Sequence, residues 1–239
     1  MRLEALFIDS AGVLVDLSNG LLGNVWHRRV GEFCVPRLGG AAAQWERANV
    51  EAAQKYGKRY TAAARADGGR GARVFRAKAD RLWTVDMCSI VGVPAPRDAL
   101  AFADECVQYV TAGAAAAAFP DAASGVRALA ARVSRLFTAT SQDSRQIDGY
   151  ARALGIRELF EQTYGGDLVN HFKVNAAFFT AIMADAGVAP ERAAMVDDNP
   201  EYLNWARESG MKTYLLERRG GDPEGHELVP SLTALAERL

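Results

Sequence analysis

Short apolar runs that are typical of buried β-strands occur near the start of the chain and again throughout its second half. They are Leu6–Ile8, Arg135–Thr140, Gln162–Tyr164, Ala193–Val196 and Lys212–Leu216. Between the later runs, apolar residues recur at helical spacing over residues 122–133, 146–154, 176–186 and 202–208. Because strands that alternate with helices form parallel sheets covered on both faces, we predict an α/β core.

The stretch from Ser18 to about Ala115 has a different pattern, since its apolar residues follow helical spacing and no strand pattern interrupts them. Breaks at Val35–Gly40, Asp67–Gly71 and Val93–Pro96 divide it into four predicted helices. These features predict a small helical bundle inserted into the α/β core. The core would then consist of residues 1–17 and 116–239, and the insert of residues 18–115.

Composition and charge are those of an ordinary globular protein, with 49% hydrophobic residues, 24% charged residues and a formal net charge of −1. This charge gives no reason to expect a nucleic-acid partner or an anionic membrane surface. No apolar stretch is long enough to span a bilayer, and the first predicted strand begins too close to Met1 for a signal peptide. Three widely separated cysteines form no CxxC pair, which predicts reduced thiols and a cytoplasmic location.

Reactive side chains follow the predicted strands at the ends where ligands bind in open α/β sheets. They are Asp9, Thr140, Ser141, Asp197 and Asp198, and Lys173 lies between Ser141 and Asp197 in the chain. Two adjacent acids at such an edge, together with Asp9, indicate a site for Mg²⁺, which prefers oxygen ligands. An acid, a hydroxyl group, a lysine and an acid pair suit phosphoryl transfer, because they supply a nucleophile, anion donors, charge balance and metal ligands.

The order and spacing of these residues resemble the haloacid dehalogenase-like hydrolase superfamily, of the C1 type with a helical cap inserted after the first motif. The matching motifs are Asp9-Ser10-Ala11-Gly12-Val13-Leu14, Thr140, Lys173 and Val196-Asp197-Asp198-Asn199. The resemblance implies a Rossmann-like parallel-sheet core and a cap formed by the insert. It also implies a Mg²⁺-dependent phosphatase that acts on a small phosphorylated metabolite.

The resemblance also assigns roles to individual residues. Asp9 would form an aspartyl-phosphate, with Thr140 and Lys173 as the other catalytic residues. The phosphate would be bound by Ser10, Ala11, Thr140, Ser141 and Lys173. Mg²⁺ would be held by Asp9, Asp197, Asp198 and the backbone carbonyl of Ala11.

Ala11 departs from the pattern of most phosphatases that this chain resembles, which carry a second Asp two residues after the nucleophile. That Asp protonates the leaving group and later activates water, and loss of such a group typically lowers the rate by about 10²–10⁴. Four interpretations remain open. The first is a phosphatase whose substrate or cap replaces the missing group, or whose leaving group needs little help. The second is a phosphonatase-like hydrolase with a cap lysine, and the third is a metal-independent 2-haloacid dehalogenase. The fourth is a catalytically silent relative that binds a phosphorylated ligand or a partner. The Asp197-Asp198 pair argues against the metal-independent dehalogenase, and the intact Asp9, Lys173 and Asp198 argue against the silent relative.

Three further features are candidates of lower weight. The insert contains Lys55, Lys58 and Lys78, and nothing in their surroundings identifies one of them as a nucleophilic amine. Arg37, in the first predicted break, is a candidate for substrate selection. The segment Arg218–Pro223 follows the last predicted strand and could reach the site from there. We expect either a monomer or a homodimer.

Overall fold

In the computed structural model, which describes residues 3–16, 20–218 and 224–239, a six-stranded parallel sheet forms the core. Its strands are β1 (Ala5–Ile8), β2 (Arg135–Ala139), β3 (Gln162–Tyr164), β4 (Ala193–Asp197), β5 (Lys212–Leu216) and β6 (Glu227–Val229). Their order across the sheet is β3-β2-β1-β4-β5-β6, and every neighbouring pair is parallel. The central strand β1 lies between β2 and β4, so the residues that follow these three strands share one edge.

Helices cover both faces of this sheet, as the alternating pattern predicts. They are α5 (Ala122–Ala130), α6 (Ser144–Ala153), α7 (Ala176–Ala186), α8 (Pro200–Glu208) and α9 (Leu232–Arg238). Along β1, Leu6 and Ile8 pack with α5 and α9, whereas Ala5 and Phe7 pack with α7 and α8. This alternation is what a strand buried on both faces requires, and it confirms the predicted α/β fold class.

Four helices from the first half of the chain pack together around a separate apolar cluster that includes Phe33, Trp45 and Met87. They are α1 (Leu21–Leu38), α2 (Ala42–Arg65), α3 (Ala72–Val91) and α4 (Ala99–Thr111), and we call them the cap helices. No β-strand lies between residues 20 and 111. The predicted boundary between residues 17 and 18 lies outside the described residues, so the domain limits stay a prediction.

The first cap helix is longer than the sequence predicts. Pro36 was expected to break the helix, but α1 continues through it to Leu38. A proline in the last turn removes only one backbone donor, and Gly39, with φ 77°, ends the helix by donating its N–H to the carbonyl of Val35 at 3.0 Å. Arg37 therefore lies on a helix, and its expected position in a loop is wrong.

Two elements at the carboxyl end were not predicted. Strand β6 is three residues long, too short to give a periodic signal. Helix α9 does carry a signal, because Ser231 caps it and Leu232 and Leu235 are buried three residues apart. It packs closely on α5, where a Cβ atom at Gly125 would lie 2.4 Å from the Cβ of Leu232.

The three cysteines, Cys34, Cys88 and Cys106, are free and buried among the cap helices. Burial raises the pKa of the Cys88 thiol to about 11, so that thiol stays protonated at neutral pH. In the described part of the chain, no helix is both long and apolar enough to cross a membrane.

Candidate active site

Three carboxylates meet at the shared edge of β1 and β4. Oxygen atoms of Asp9, Asp197 and Asp198 all lie within 4.8 Å of one another, and the three residues are buried. The ammonium of Lys173 lies among them. It donates hydrogen bonds to Oδ1 of Asp9 at 2.8 Å and to Oδ2 of Asp197 at 2.7 Å, and a third to the carbonyl of Ala139 at 2.8 Å. The structure thus brings together residues that the sequence separates by up to 189 positions (198 minus 9).

The lysine is held in place by contacts with the cap helices. Lys173 belongs to the segment between β3 and α7, and the preceding Phe172 donates its N–H to the carbonyl of Gly69 at 2.7 Å. The ring of Phe172 packs edge-on against Tyr60 at 5.0 Å and against Phe75 at 5.4 Å between ring centroids. The turn between α2 and α3 therefore fixes the loop that delivers the lysine.

Burial and charge act in opposite directions on this cluster. Burial alone would lower the pKa of Lys173, but the carboxylates of Asp197 and Asp9 outweigh it and raise that pKa, so the lysine is a permanent cation. Burial raises the pKa of Asp197, against the opposing effect of Lys173. Three buried carboxylates this close together are costly unless cations compensate their charge, and Lys173 is one such cation.

The donor set fits Mg²⁺, which binds carboxylate oxygens and tolerates few other ligand types. Asp9, Asp197 and Asp198 would hold the ion. Asp197 has a second role, because its Oδ2 accepts from Lys173 and its Oδ1 accepts from the N–H of Asn199 at 2.9 Å. Asp197 therefore also positions the lysine and joins it to the start of α8.

A tight turn after β1 allows the acid pair to approach Asp9. The carbonyl of Ser10 accepts the N–H groups of Leu14 at 2.8 Å and Val15 at 3.0 Å. Within this turn Gly12 has φ 90°, and a Cβ atom there would lie only 2.3 Å from Oδ2 of Asp198. Only glycine satisfies both constraints. The sequence indicated the turn at Gly12 but not its contact with Asp198.

The hydroxyl groups predicted to bind an anion flank the carboxylates. Thr140 is fully buried, and its Oγ1 accepts the N–H of Gln142 at 3.3 Å, which leaves the hydroxyl proton available to an anion. Ser10 Oγ is buried and has no hydrogen-bond partner in the described part of the chain. Ser141 lines a narrow gap of about 30 Å³ together with Tyr60 and Phe172. Ala11 presents only a methyl group beside them.

The structure does not bring the lower-weight candidates into this cluster. Arg37 is exposed, its guanidinium lies 3.8 Å from the ring centre of Phe33, and it donates to the carbonyl of that same residue. The lysines of the insert are exposed, and Lys55 pairs with Asp86. Arg218 does reach the turn after β1, donating to the carbonyl of Val13 at 3.3 Å. The rest of the predicted loop, residues 219–223, lies outside the described residues.

Several neighbours of the site were missed from the sequence. The ring of Tyr202 lies 4.7 Å from Lys173 Nζ and that of Phe179 lies 5.9 Å from it, which adds cation–π attraction to the buried ammonium. Asn199 caps α8 by accepting the N–H of Glu201, and Pro200 occupies the first turn. An Asn-Pro pair directly after a strand is a recognisable helix start, so this signal was available.

Comparisons with known proteins agree with this geometry. The model of the family described as haloacid dehalogenase-like hydrolase matches residues 3–216. No curated protein sequence matches this chain. Among solved structures, an L-2-haloacid dehalogenase from Xanthobacter autotrophicus is similar at 17% identity, with a TM-score of 0.64 and coverage of 99% of this chain and 98% of that one.

A 2-haloacid dehalogenase from Pseudomonas syringae pv. Tomato DC3000 is similar at 16% identity, with a TM-score of 0.66 and coverage of 99% of this chain and 97% of that one. At such identities the solved structures show a shared fold and no more. The family model covers most of the chain, and the sheet order and the helical cap agree with it. The chain therefore belongs to the haloacid dehalogenase-like hydrolase family.

Proposed function

We propose that this protein is a Mg²⁺-dependent phosphatase that hydrolyses a small phosphorylated metabolite through an aspartyl-phosphate on Asp9. The observation that carries this proposal is the convergence of three buried carboxylates at the strand ends, two of which, those of Asp9 and Asp197, accept hydrogen bonds from Lys173. A divalent cation with oxygen ligands accounts for the presence of both Asp197 and Asp198 beside Asp9.

The described contacts indicate a role for each residue in the proposed reaction. Lys173 holds Oδ1 of Asp9, so the second carboxylate oxygen, Oδ2, is the one that attacks phosphorus. Donors from Thr140 and Ser10 face the transferring group, and Lys173 offsets its negative charge. When bound, Mg²⁺ would supply further charge stabilisation for the phosphoryl oxygens. Water then cleaves the phosphorus–oxygen bond to Asp9 and releases orthophosphate.

The proposal is tested by measuring phosphate release from a panel of phosphomonoesters with Mg²⁺ and with EDTA. We expect release that requires the metal and falls at least 10³-fold in Asp9→Asn, a variant that keeps an acceptor oxygen for Lys173 but loses the nucleophile. Circular dichroism and the melting temperature check that the variant folds. Release that persists in folded Asp9→Asn would contradict the proposal.

A second candidate is hydrolytic dehalogenation of a 2-haloacid, and Ala11 is the observation that favours it. The second Asp that assists phosphate chemistry is missing, as the resemblance implies for dehalogenases, and the solved neighbours quoted above are described as haloacid dehalogenases. In that reaction Asp9 would displace halide from carbon without a metal. The same protein is therefore assayed for halide release from 2-chloropropionate in EDTA. Chelator-resistant halide release that depends on Asp9 would replace the first proposal by this one.

A further inference from the structure

A cleft between the cap helices and the core indicates which phosphate ester the site accepts. It has a volume of about 270 Å³ and lies between α1, α2 and α3 on one side and α6 on the other. Four aromatic side chains line it, namely Trp26, Tyr56, Trp83 and Tyr150. Its size is just below the range of about 300–1,000 Å³ typical of ligand pockets, which suits a molecule with one ring.

The cleft is connected to the candidate active site through the segment that follows β2. Gln142 and Tyr56 line both the cleft and the narrow gap that contains Ser141 and Phe172. Ser141 is next to Thr140, and Phe172 is next to Lys173. The backbone N–H of Gln142 also donates to Thr140 Oγ1. A phosphoryl group held by Thr140 and Lys173 therefore has its leaving group beside this gap, with the aromatic cleft beyond.

The polar groups of the cleft are those that would bind a neutral ring with a polar substituent. Asp80, the one charged residue among the described lining residues, is neutralised by Arg145 at 2.6 Å and Arg76 at 3.4 Å. The amide of Asn49 is engaged by His27 and Trp83. Gln142 Oε1 is buried and has no partner in the described part of the chain. No cation in this lining is available for a second phosphate or a carboxylate.

The absence of an acidic residue at position 11 is an independent observation that restricts the leaving group of the substrate. A phenol has a pKa of about 10, whereas an aliphatic alcohol is about as weak an acid as water, at ~15.7. A phenolate can leave without being protonated in the transition state, but an alkoxide cannot leave readily without an acid. Ala11 provides no acid, so a phenolic leaving group is the kind that this site can expel.

We propose that the substrate is an aryl phosphomonoester, the phosphate ester of a single-ring phenol, whose ring occupies the cleft. This inference rests on the proposed phosphatase activity. Asp9 Oδ2 forms a bond to phosphorus while the phosphorus–oxygen bond to the ring breaks, and the electron pair leaves with the phenolate, which takes a proton from solvent. Water then attacks the aspartyl-phosphate and releases hydrogen phosphate. The net reaction consumes one ester and one water and yields one phenol and one phosphate.

The leaving-group argument is tested with phenyl phosphate and benzyl phosphate, which carry the same ring but release a phenol and an aliphatic alcohol. We expect kcat/KM for phenyl phosphate to be about 10²-fold higher or more, and glycerol phosphate to be hydrolysed more slowly than both. Ala11→Asp should reduce the difference in kcat/KM between phenyl phosphate and benzyl phosphate, because it should raise kcat/KM for benzyl phosphate at least tenfold more than for phenyl phosphate. Equal values for all three esters in the native protein would overturn the inference, yet would leave a metal- and Asp9-dependent phosphatase in place.

The cleft itself is tested by filling it from α1. Gly23 lines the cleft, and a Cβ atom there would approach only Nε2 of His27, at 3.8 Å, so a leucine fits the backbone. The matched control is Gly57→Leu on α2, an exposed helical glycine with no atom within 4 Å of its ideal Cβ. We expect Gly23→Leu to lower kcat/KM for phenyl phosphate at least tenfold and Gly57→Leu to leave it within twofold. Equal effects of the two variants would overturn the placement of the ring.

Binding of phenol to the Asp9→Asn variant separates failure of this inference from failure of the proposed function. Trp26 and Trp83 line the cleft, so phenol should quench tryptophan fluorescence with a saturable 1:1 isotherm, and the added Gly23→Leu change should abolish it. Saturable binding without phosphate release from any ester by the native protein would overturn the phosphatase proposal and leave only a ring-binding cleft. Absence of saturable binding, with phosphate release intact, would overturn the ring-binding cleft alone.

Discussion

Two clusters of charged side chains among the described residues differ in burial and in geometry. At the strand ends, carboxylate oxygens of Asp9, Asp197 and Asp198 lie within 4.8 Å of one another, and the buried Lys173 binds Asp9 and Asp197. Between the cap helices and α6, three carboxylates face two guanidinium groups, and this second cluster consists of Arg76, Asp80, Asp104, Asp143 and Arg145. We call them the lysine cluster and the arginine cluster.

The arginine cluster joins three elements and resembles a structural ion-pair network. Arg145, at the start of α6, donates to Asp80 on α3, to Asp104 on α4 and to Asp143 of its own cap. Its arginines nearly balance its acids, and planar guanidinium groups suit such multiple pairing. The residues of the lysine cluster are all buried and its three carboxylates converge on one point, whereas in the arginine cluster only Asp80 is buried and the side chain of Asp104 is 36% exposed. We take the convergence of buried carboxylates as the feature that marks a site for a cation.

The largest expected effect comes from removing Lys173, the base that binds both Asp9 and Asp197. Lys173→Met leaves two buried carboxylates without their shared partner, and breaking such a pair typically costs about 3–5 kcal/mol. Phosphatase activity should be lost as well. The measurement is urea unfolding at pH 8 in EDTA. The control, Lys212→Met, breaks an exposed pair with Glu227 and should cost less than about 1 kcal/mol. Similar losses of unfolding free energy in the two variants would show that the buried ion pairs of Lys173 stabilise the protein no more than an exposed pair does.

The second effect tests whether the three converging carboxylates bind a cation. Mg²⁺ at a hundred times its dissociation constant should stabilise the native protein by about 2.7 kcal/mol, because the unfolded chain lacks the site. Asp198→Asn should lose most of this gain while remaining folded. The free energy of unfolding is measured with Mg²⁺ and with EDTA for both proteins. An equal gain in Asp198→Asn would place the binding of Mg²⁺ elsewhere on the molecule.

The two clusters were predictable from the sequence to different degrees. Strand assignment placed Asp9 and the acid pair at one edge, because each of them follows a predicted strand. Lys173 follows no strand directly, and it was assigned to the site by its order in the chain and by the family resemblance. The arginine cluster depends on how α3 and α4 pack on α6, and no periodicity in the sequence reports the packing of one helix on another. For the same reason the aromatic cleft was not predicted.

The errors in the fold were local ones. Pro36 was given more weight as a helix breaker than the following Gly39, and the structure shows that the glycine ends α1. Strand β6 exists because β5 offers it an edge to pair with, as in the register of Leu215 with Leu228, and three residues carry no independent signal. The contact of Gly12 with Asp198 is likewise a tertiary property, visible only once β1 and β4 are adjacent.

A third, smaller effect is expected at the arginine cluster. Arg145→Gln leaves three carboxylates facing Arg76 alone, and loss of charge-assisted hydrogen bonds should cost about 1.5–3 kcal/mol. Arg152→Gln is the control, because Arg152 pairs with Asp148 on the same helix and its side chain is 68% exposed. It should change stability by about 0.5 kcal/mol or less. If Arg145→Gln lowered phosphate release without lowering the free energy of unfolding, the arginine cluster would take part in catalysis. The distinction drawn between the two clusters would then be wrong.

The smallest effect concerns the pH dependence of the arginine cluster. Burial raises the pKa of Asp143 from 3.8 to about 7, and the charges of Asp80 and Asp167 add to the rise. Below pH 7 the folded protein binds a proton that the unfolded chain does not bind until about pH 4, so this group increases stability as pH falls through that window. Between pH 8 and pH 6 the gain in the free energy of unfolding is about 1.4 kcal/mol.

Asp143→Asn keeps a helix cap for the N–H groups of Arg145 and Gln146 but cannot titrate. The difference in unfolding free energy between Asp143→Asn and the native protein should therefore favour the variant most at pH 8 and shrink towards pH 6. A difference that stays constant over this range would mean that Asp143 is ionised throughout it and that Arg145 compensates its charge.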